Sequence, residues 1–114
     1  QLKTLAQKMK KASGSPSVTV LGDPKKKIAR LAVWSGGGCP AHIIAQSGVD
    51  AVLLGEIGYH DTEVLQNAGV GCIALGHGPC EEIILEPLAE NLRQGLDGVK
   101  VETYTDGTPV MWSV

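Results

Sequence analysis

The stretch Ala51-Val52-Leu53-Leu54-Gly55-Glu56-Ile57-Gly58-Tyr59-His60-Asp61 decides the fold. Four consecutive apolar residues run into a glycine and a carboxylate, and a helix-forming segment, His60 to Asn67, follows at once. A run that is apolar throughout suits a strand buried on both faces, as the strands of parallel sheets are. The same design recurs on either side. Leu31 to Trp34 leads into Ser35-Gly36-Gly37-Gly38 and a helix over Pro40 to Gln46, and Cys72 to Leu75 leads into Gly76-His77 and a helix from Pro79 to about Leu96. Strands alternating with helices at this interval predict an α/β fold, a mainly parallel sheet flanked by helices.

The flanks fit that frame. Leu2, Leu5 and Met9 recur at helical spacing among lysines until Ser13-Gly14-Ser15-Pro16 stops the pattern, so residues 1–16 read as a leading helix that packs on something, plus a linker. Residues 17–114 read as a single α/β domain. Within it Ser17 to Gly22 is a β-branched strand, Asp23-Pro24 a turn, Lys25 to Lys27 an exposed loop, and Ile28 to Trp34 a second apolar run. Val99 to Tyr104 and Pro109 to Trp112, joined across Asp106-Gly107, are expected to form a closing antiparallel strand pair. Pro40 and Pro79 fall where a first-turn proline is tolerated, whereas Pro87 predicts a break beside Glu86.

Composition narrows the function. The chain has 114 residues, 43% of them hydrophobic, with no Phe, 15 Gly and a formal net charge of -2. That apolar content excludes a disordered tail, and no apolar run approaches the roughly 20 residues of a membrane helix. Cys39, Cys72 and Cys80 are odd in number and form no Cys-x-x-Cys pair, so a reducing, cytoplasmic setting is expected. The charge is uneven. Residues 1–30 carry eight cationic residues against Asp23 alone, and the remainder carries Arg93 and Lys100 against eleven acids. The basic start lacks the interleaved aromatics and groove-reading motifs of nucleic-acid binders and reads as a solvated helix face.

The chemistry should lie after the strands. Ligands of open α/β sheets bind at the carboxyl ends of parallel strands, so the three glycine-bearing loops should converge. Convergence would gather Glu56, His60, Asp61, His77 and Glu81, a mixture of imidazole and carboxylate suited to Zn, Mn, Fe or Ni. His77-x-x-x-Glu81 brings both side chains to one side of a helical turn, although Glu81 and Glu82 could merely complement a helix start. His60 could equally face solvent, and His42 reads as a structural histidine. Ser35 to Gly38 could cradle an anion or serve tight packing, and Cys39 stands at a helix start with no base nearby.

The ordered set from Gly22-Asp23-Pro24 through Ser35-Gly36-Gly37-Gly38, Gly55-Glu56-Ile57-Gly58-Tyr59-His60-Asp61 and Gly76-His77-Gly78-Pro79-Cys80-Glu81 resembles the carboxyl-terminal half of the NGG-one interacting factor three-like family. Bacterial members are labelled type 2 GTP cyclohydrolase I homologues. The resemblance implies a two-metal site in which His77 and Glu81 are ligands, with Glu56 and His60 lining the same cavity as base or orienting group. It also implies a metal-dependent hydrolase of unknown small-molecule substrate, and a homo-oligomeric ring, often a hexamer. Many relatives have His-His where this chain has Tyr59-His60. Members usually draw a His-His pair and an Asp from an amino-terminal half, and no His-His occurs here. Opening on Gln1, the chain is therefore expected to be the C-terminal part of a longer protein, binding metal weakly and inactive by itself. A non-catalytic interaction protein and a nucleotide- or anion-binding module are the competing readings.

Overall fold

The computed structural model describes residues 1–105. Its elements are α1 (Leu2–Ser13), β1 (Thr19–Leu21), β2 (Leu31–Val33), α2 (Ala41–Gln46), β3 (Ala51–Leu54), α3 (Tyr59–Asn67), β4 (Gly71–Ala74), α4 (His77–Glu82) and α5 (Leu85–Gly95). They build a four-stranded sheet ordered β1-β4-β3-β2, in which β2, β3 and β4 run parallel and β1 is antiparallel to β4.

The apolar runs of β3 and β4 are buried on both faces, since successive residues of a strand point to opposite sides, whereas β2 stands at the sheet edge and leaves Val33 exposed. Val52, Leu54, Cys72 and Ala74 join Ile44 of α2 and Leu65 of α3 in one core. Ala51, Ile73 and Leu75 face the other way and pack with Leu2 and Ala6 of α1. The amphipathic leading helix therefore covers one side of the sheet, and Leu2 is completely buried.

The antiparallel pair of the sheet is β1 on β4, with Thr19 opposite Ala74. Residues 99–104 form no strand; Arg93 Nε donates to the Val101 carbonyl at 3.1 Å and Thr103 Oγ1 donates to Glu86, so this segment is tied to α5. Pro109 to Trp112, the other strand of the expected pair, lies outside the described residues.

Two further expectations shift. The break attributed to Pro87 falls at Ile83–Ile84, between α4 and α5. A proline ring clashes with the carbonyl four residues back, here Ile83, so the helix restarts with Pro87 in the first turn of α5, where no amide bond is lost. Within the loop of three lysines, Lys26 turns inward, and its Nζ donates to the carbonyls of Asp50 (2.7 Å) and Gly69. Those carbonyls precede β3 and β4, which places the basic loop at the amino edge of the parallel strands.

Candidate metal centre

At the opposite edge the three strand exits meet. Gly55 N and Glu56 N donate to the Gly36 carbonyl at 3.1 and 3.2 Å, and Gly76 N donates to the Gly55 carbonyl at 2.8 Å. The loop after β2 is thereby stitched to the loop after β3, and that one to the loop after β4. Trp34 Nε1 pins the first loop by donating to the Gly37 carbonyl at 3.0 Å.

This stitching brings together Glu56, His77 and Glu81. His77 Nδ1 lies 3.0 Å from Glu56 Oε1, and Nε2 lies 3.3 Å from Glu81 Oε1. The two carboxylates thus bracket opposite edges of one imidazole. Glu56 first, by its hydrogen bond, and then the charges of both glutamates raise the pKa of His77 above its ordinary value. Since an ionised carboxylate only accepts, Nδ1 is the donor toward Glu56. All three side chains are about half exposed, so water screens the pairs and each contributes little to stability.

The glycine run has a specific role here. A Cβ on Gly36, whose φ is +67°, would stand 2.5 Å from Glu81 Oε1, and one on Gly37 would stand 2.7 Å from Glu56 Oε1. The loop packs against the two carboxylates, which is the tight-packing alternative read from the sequence. The run of three glycines was the available signal, but its contact with the glutamates exists only through the strand order.

The other candidates lie apart. His60 opens α3 with its side chain almost fully exposed, 3.6 Å from Glu63 and edge-on to Tyr59. Among the described contacts none joins it to His77. Asp61 acts on Cys39, whose thiol is pushed up first by burial and then by that carboxylate, contrary to a reactive thiolate. Burial pushes the Cys72 thiol up to about 12.

The donor set partly suits a divalent ion. Two donors bound at 2.0–2.1 Å in a tetrahedron stand about 3.3 Å apart, the separation found between His77 Nε2 and Glu81 Oε1. Glu56, on the Nδ1 side, is placed as the carboxylate that orients a metal-bound histidine. Because the two glutamates address different ring edges, the three groups do not converge on one point. Among the described residues no group of three or more His, Cys, Asp or Glu could hold a metal ion by itself.

Comparison with known proteins adds the family. The profile of Duf34/NIF3 (NGG1p interacting factor 3) matches residues 1–109. The chain belongs to the Duf34/NIF3 family. A curated relative, the GTP cyclohydrolase 1 type 2 homolog of Halalkalibacterium halodurans, is 29% identical over 104 residues, 90% of this Duf34/NIF3 chain and 27% of the relative. A Staphylococcus aureus protein of known crystal structure is 28% identical with a TM-score of 0.85, over 99% of this chain and 38% of its own. A Bacillus cereus protein related to NIF3, 19% identical with a TM-score of 0.84, shares the fold over 98% of this chain and 32% of its own. This Duf34/NIF3 chain thus spans well under half the length of these relatives. No helix among its described residues is long and apolar enough to cross a membrane.

Proposed function

We propose that this chain supplies part of the active site of a metal-dependent hydrolase, with His77 and Glu81 as ligands and Glu56 as the group that orients His77. The observation that carries the reading is the single imidazole held between Glu56 and Glu81 at the carboxyl edge of the parallel strands. A divalent ion bound there would polarise a carbonyl or phosphoryl oxygen and make bound water a nucleophile at neutral pH. Glu56 keeps Nδ1 protonated and fixes the ring orientation, which leaves Nε2 as the donor once its own proton is released. A stable site takes three or four protein ligands, so the remaining ones must come from another segment or another copy.

The relative's name, GTP cyclohydrolase 1 type 2 homolog, supports hydrolysis as the reaction class. Assembly is part of the proposal: Ile83, Ile84, Leu88, Leu92 and Leu96 lie exposed along α4 and α5, a surface suited to packing against a further copy in a homo-oligomer. Metal content of the full-length protein after dialysis, compared with His77→Ala and Glu81→Gln, tests the site. Both variants should lose most of the bound Zn or Mn and the hydrolysis that depends on it. Unchanged metal content in both would refute the assignment.

A further inference from the structure

Beside Glu56 and His77 the sheet edge opens into a cleft of about 500 Å³, within the range of small-molecule sites. Antiparallel β1 makes this cleft, because it lies against β4 and brings Ser17 and Thr19 opposite the exits of β3 and β4. The walls are mainly apolar, built from Ile57, Leu75 and Pro79. Their polar groups are the Ser17 and Thr19 hydroxyls, the His77 ring and the Glu56 carboxylate, which bonds His77 through one oxygen and has a second to offer.

The charge is one-sided. All ten Lys and Arg residues lie within the described chain, and none lines the cleft. Lys25, Lys26, Lys27 and Arg30 belong to the opposite edge of the sheet, where Lys26 and Arg30 are bonded around Asp50. Of the backbone amides around the cleft, those of Gly55, Glu56, Leu75 and Gly76 already donate to carbonyls. One divalent ion at His77 and Glu81 would only balance the two glutamates, so the groups this chain supplies carry no net positive charge for a polyphosphate.

Resting on the metal-site reading above, we infer that the cleft receives the substrate of that centre, and that this substrate is an unphosphorylated, neutral or cationic nitrogen compound. Its apolar or aromatic body lies on Ile57, Leu75 and Pro79, and its N–H groups face Glu56. Amide-resolved NMR of the full chain, titrated with benzamidine, guanosine, GTP and inorganic phosphate at equal concentrations, with and without Zn, tests this. Benzamidine and guanosine should shift the amides of Ile57, Leu75 and Gly76, and GTP and phosphate should bind there at least tenfold more weakly. Thr19→Trp, which fills the mouth from β1, should abolish the shifts. GTP binding more tightly than guanosine, or no shift with either benzamidine or guanosine, overturns the inference. Zn content measured on the same samples separates the two readings. Zn retained with GTP preferred refutes only the substrate class, and Zn absent with benzamidine still bound refutes the metal centre.

Discussion

Replacing Gly37 by Ala probes the site without altering any charge. Gly37 has no positive φ, so the backbone accepts alanine, but the new Cβ would lie 2.7 Å from Glu56 Oε1. Ordinary contact begins at 3.4 Å, so the carboxylate must retreat by about 0.7 Å. Retreat by that amount opens the 3.0 Å bond to His77 Nδ1 to as much as about 3.7 Å, beyond hydrogen-bonding reach. The Glu56 side chain is 61% exposed and swings into water at little cost, so global stability should change by no more than about 0.5 kcal/mol. The His77 pKa, raised chiefly by that hydrogen bond, should fall toward its ordinary value while the charge of Glu81 still holds it partly up. NMR titration of the imidazole reads this directly, with Glu56→Gln as the reference. If Glu56→Gln lowers the midpoint and Gly37→Ala leaves it unmoved, the glycine does not seat the carboxylate. If neither moves it, the Glu56–His77 bond does not form in solution.

Because folding raises the His77 pKa, its contacts add stability below the unfolded value and lose it as pH rises through the folded one; thermal melts of His77→Ala should therefore show a deficit near pH 6 that vanishes near pH 9, and a larger deficit at the higher pH would contradict the ion pairs. Leu65→Ala and Leu2→Ala, each removing a fully buried side chain, should cost about 2–5 kcal/mol in urea unfolding, against about 0.5 kcal/mol or less for exposed Ile43; a small loss at Leu2 would detach α1 from the core. Alkylation followed by mass spectrometry should modify half-buried Cys80 before buried Cys39 and Cys72, and early labelling of Cys72 would mean that its strand opens readily.

How far the sequence reaches depends on the range of the interaction being read. The runs Ala51 to Leu54 and Cys72 to Ala74 declared themselves because a strand buried on both faces admits only apolar residues, a constraint local to four positions, and Leu31 to Val33 shares that apolar character although Val33 is exposed at the sheet edge. The pair His77 and Glu81 was equally legible, since their spacing lies within one helical turn. Val99 to Tyr104 has the alternation of a strand but pairs with none of the four strands. Its polar positions and carbonyls find partners on α5 in Arg93 and Glu86, which local alternation does not encode.

His60 illustrates the same limit at the site. It stands in the Glu56-x-x-x-His60 pattern, yet it opens α3 and turns outward to Glu63, whereas Glu56, still in the loop, turns toward His77. Which way each side chain points depends on where α3 begins, a boundary that residue spacing alone does not fix.

The sequence by itself determined the class of fold, its parallel strands and the nearness of His77 to Glu81, because burial and helical spacing act over a few residues. Only the tertiary structure decided that Glu56 meets the far edge of the His77 ring, that Gly36 and Gly37 wall in the two carboxylates, and that antiparallel β1 makes a cleft beside them. Those contacts join residues twenty to sixty positions apart, and they follow from strand order, which the whole chain settles by burying both faces of one sheet at once.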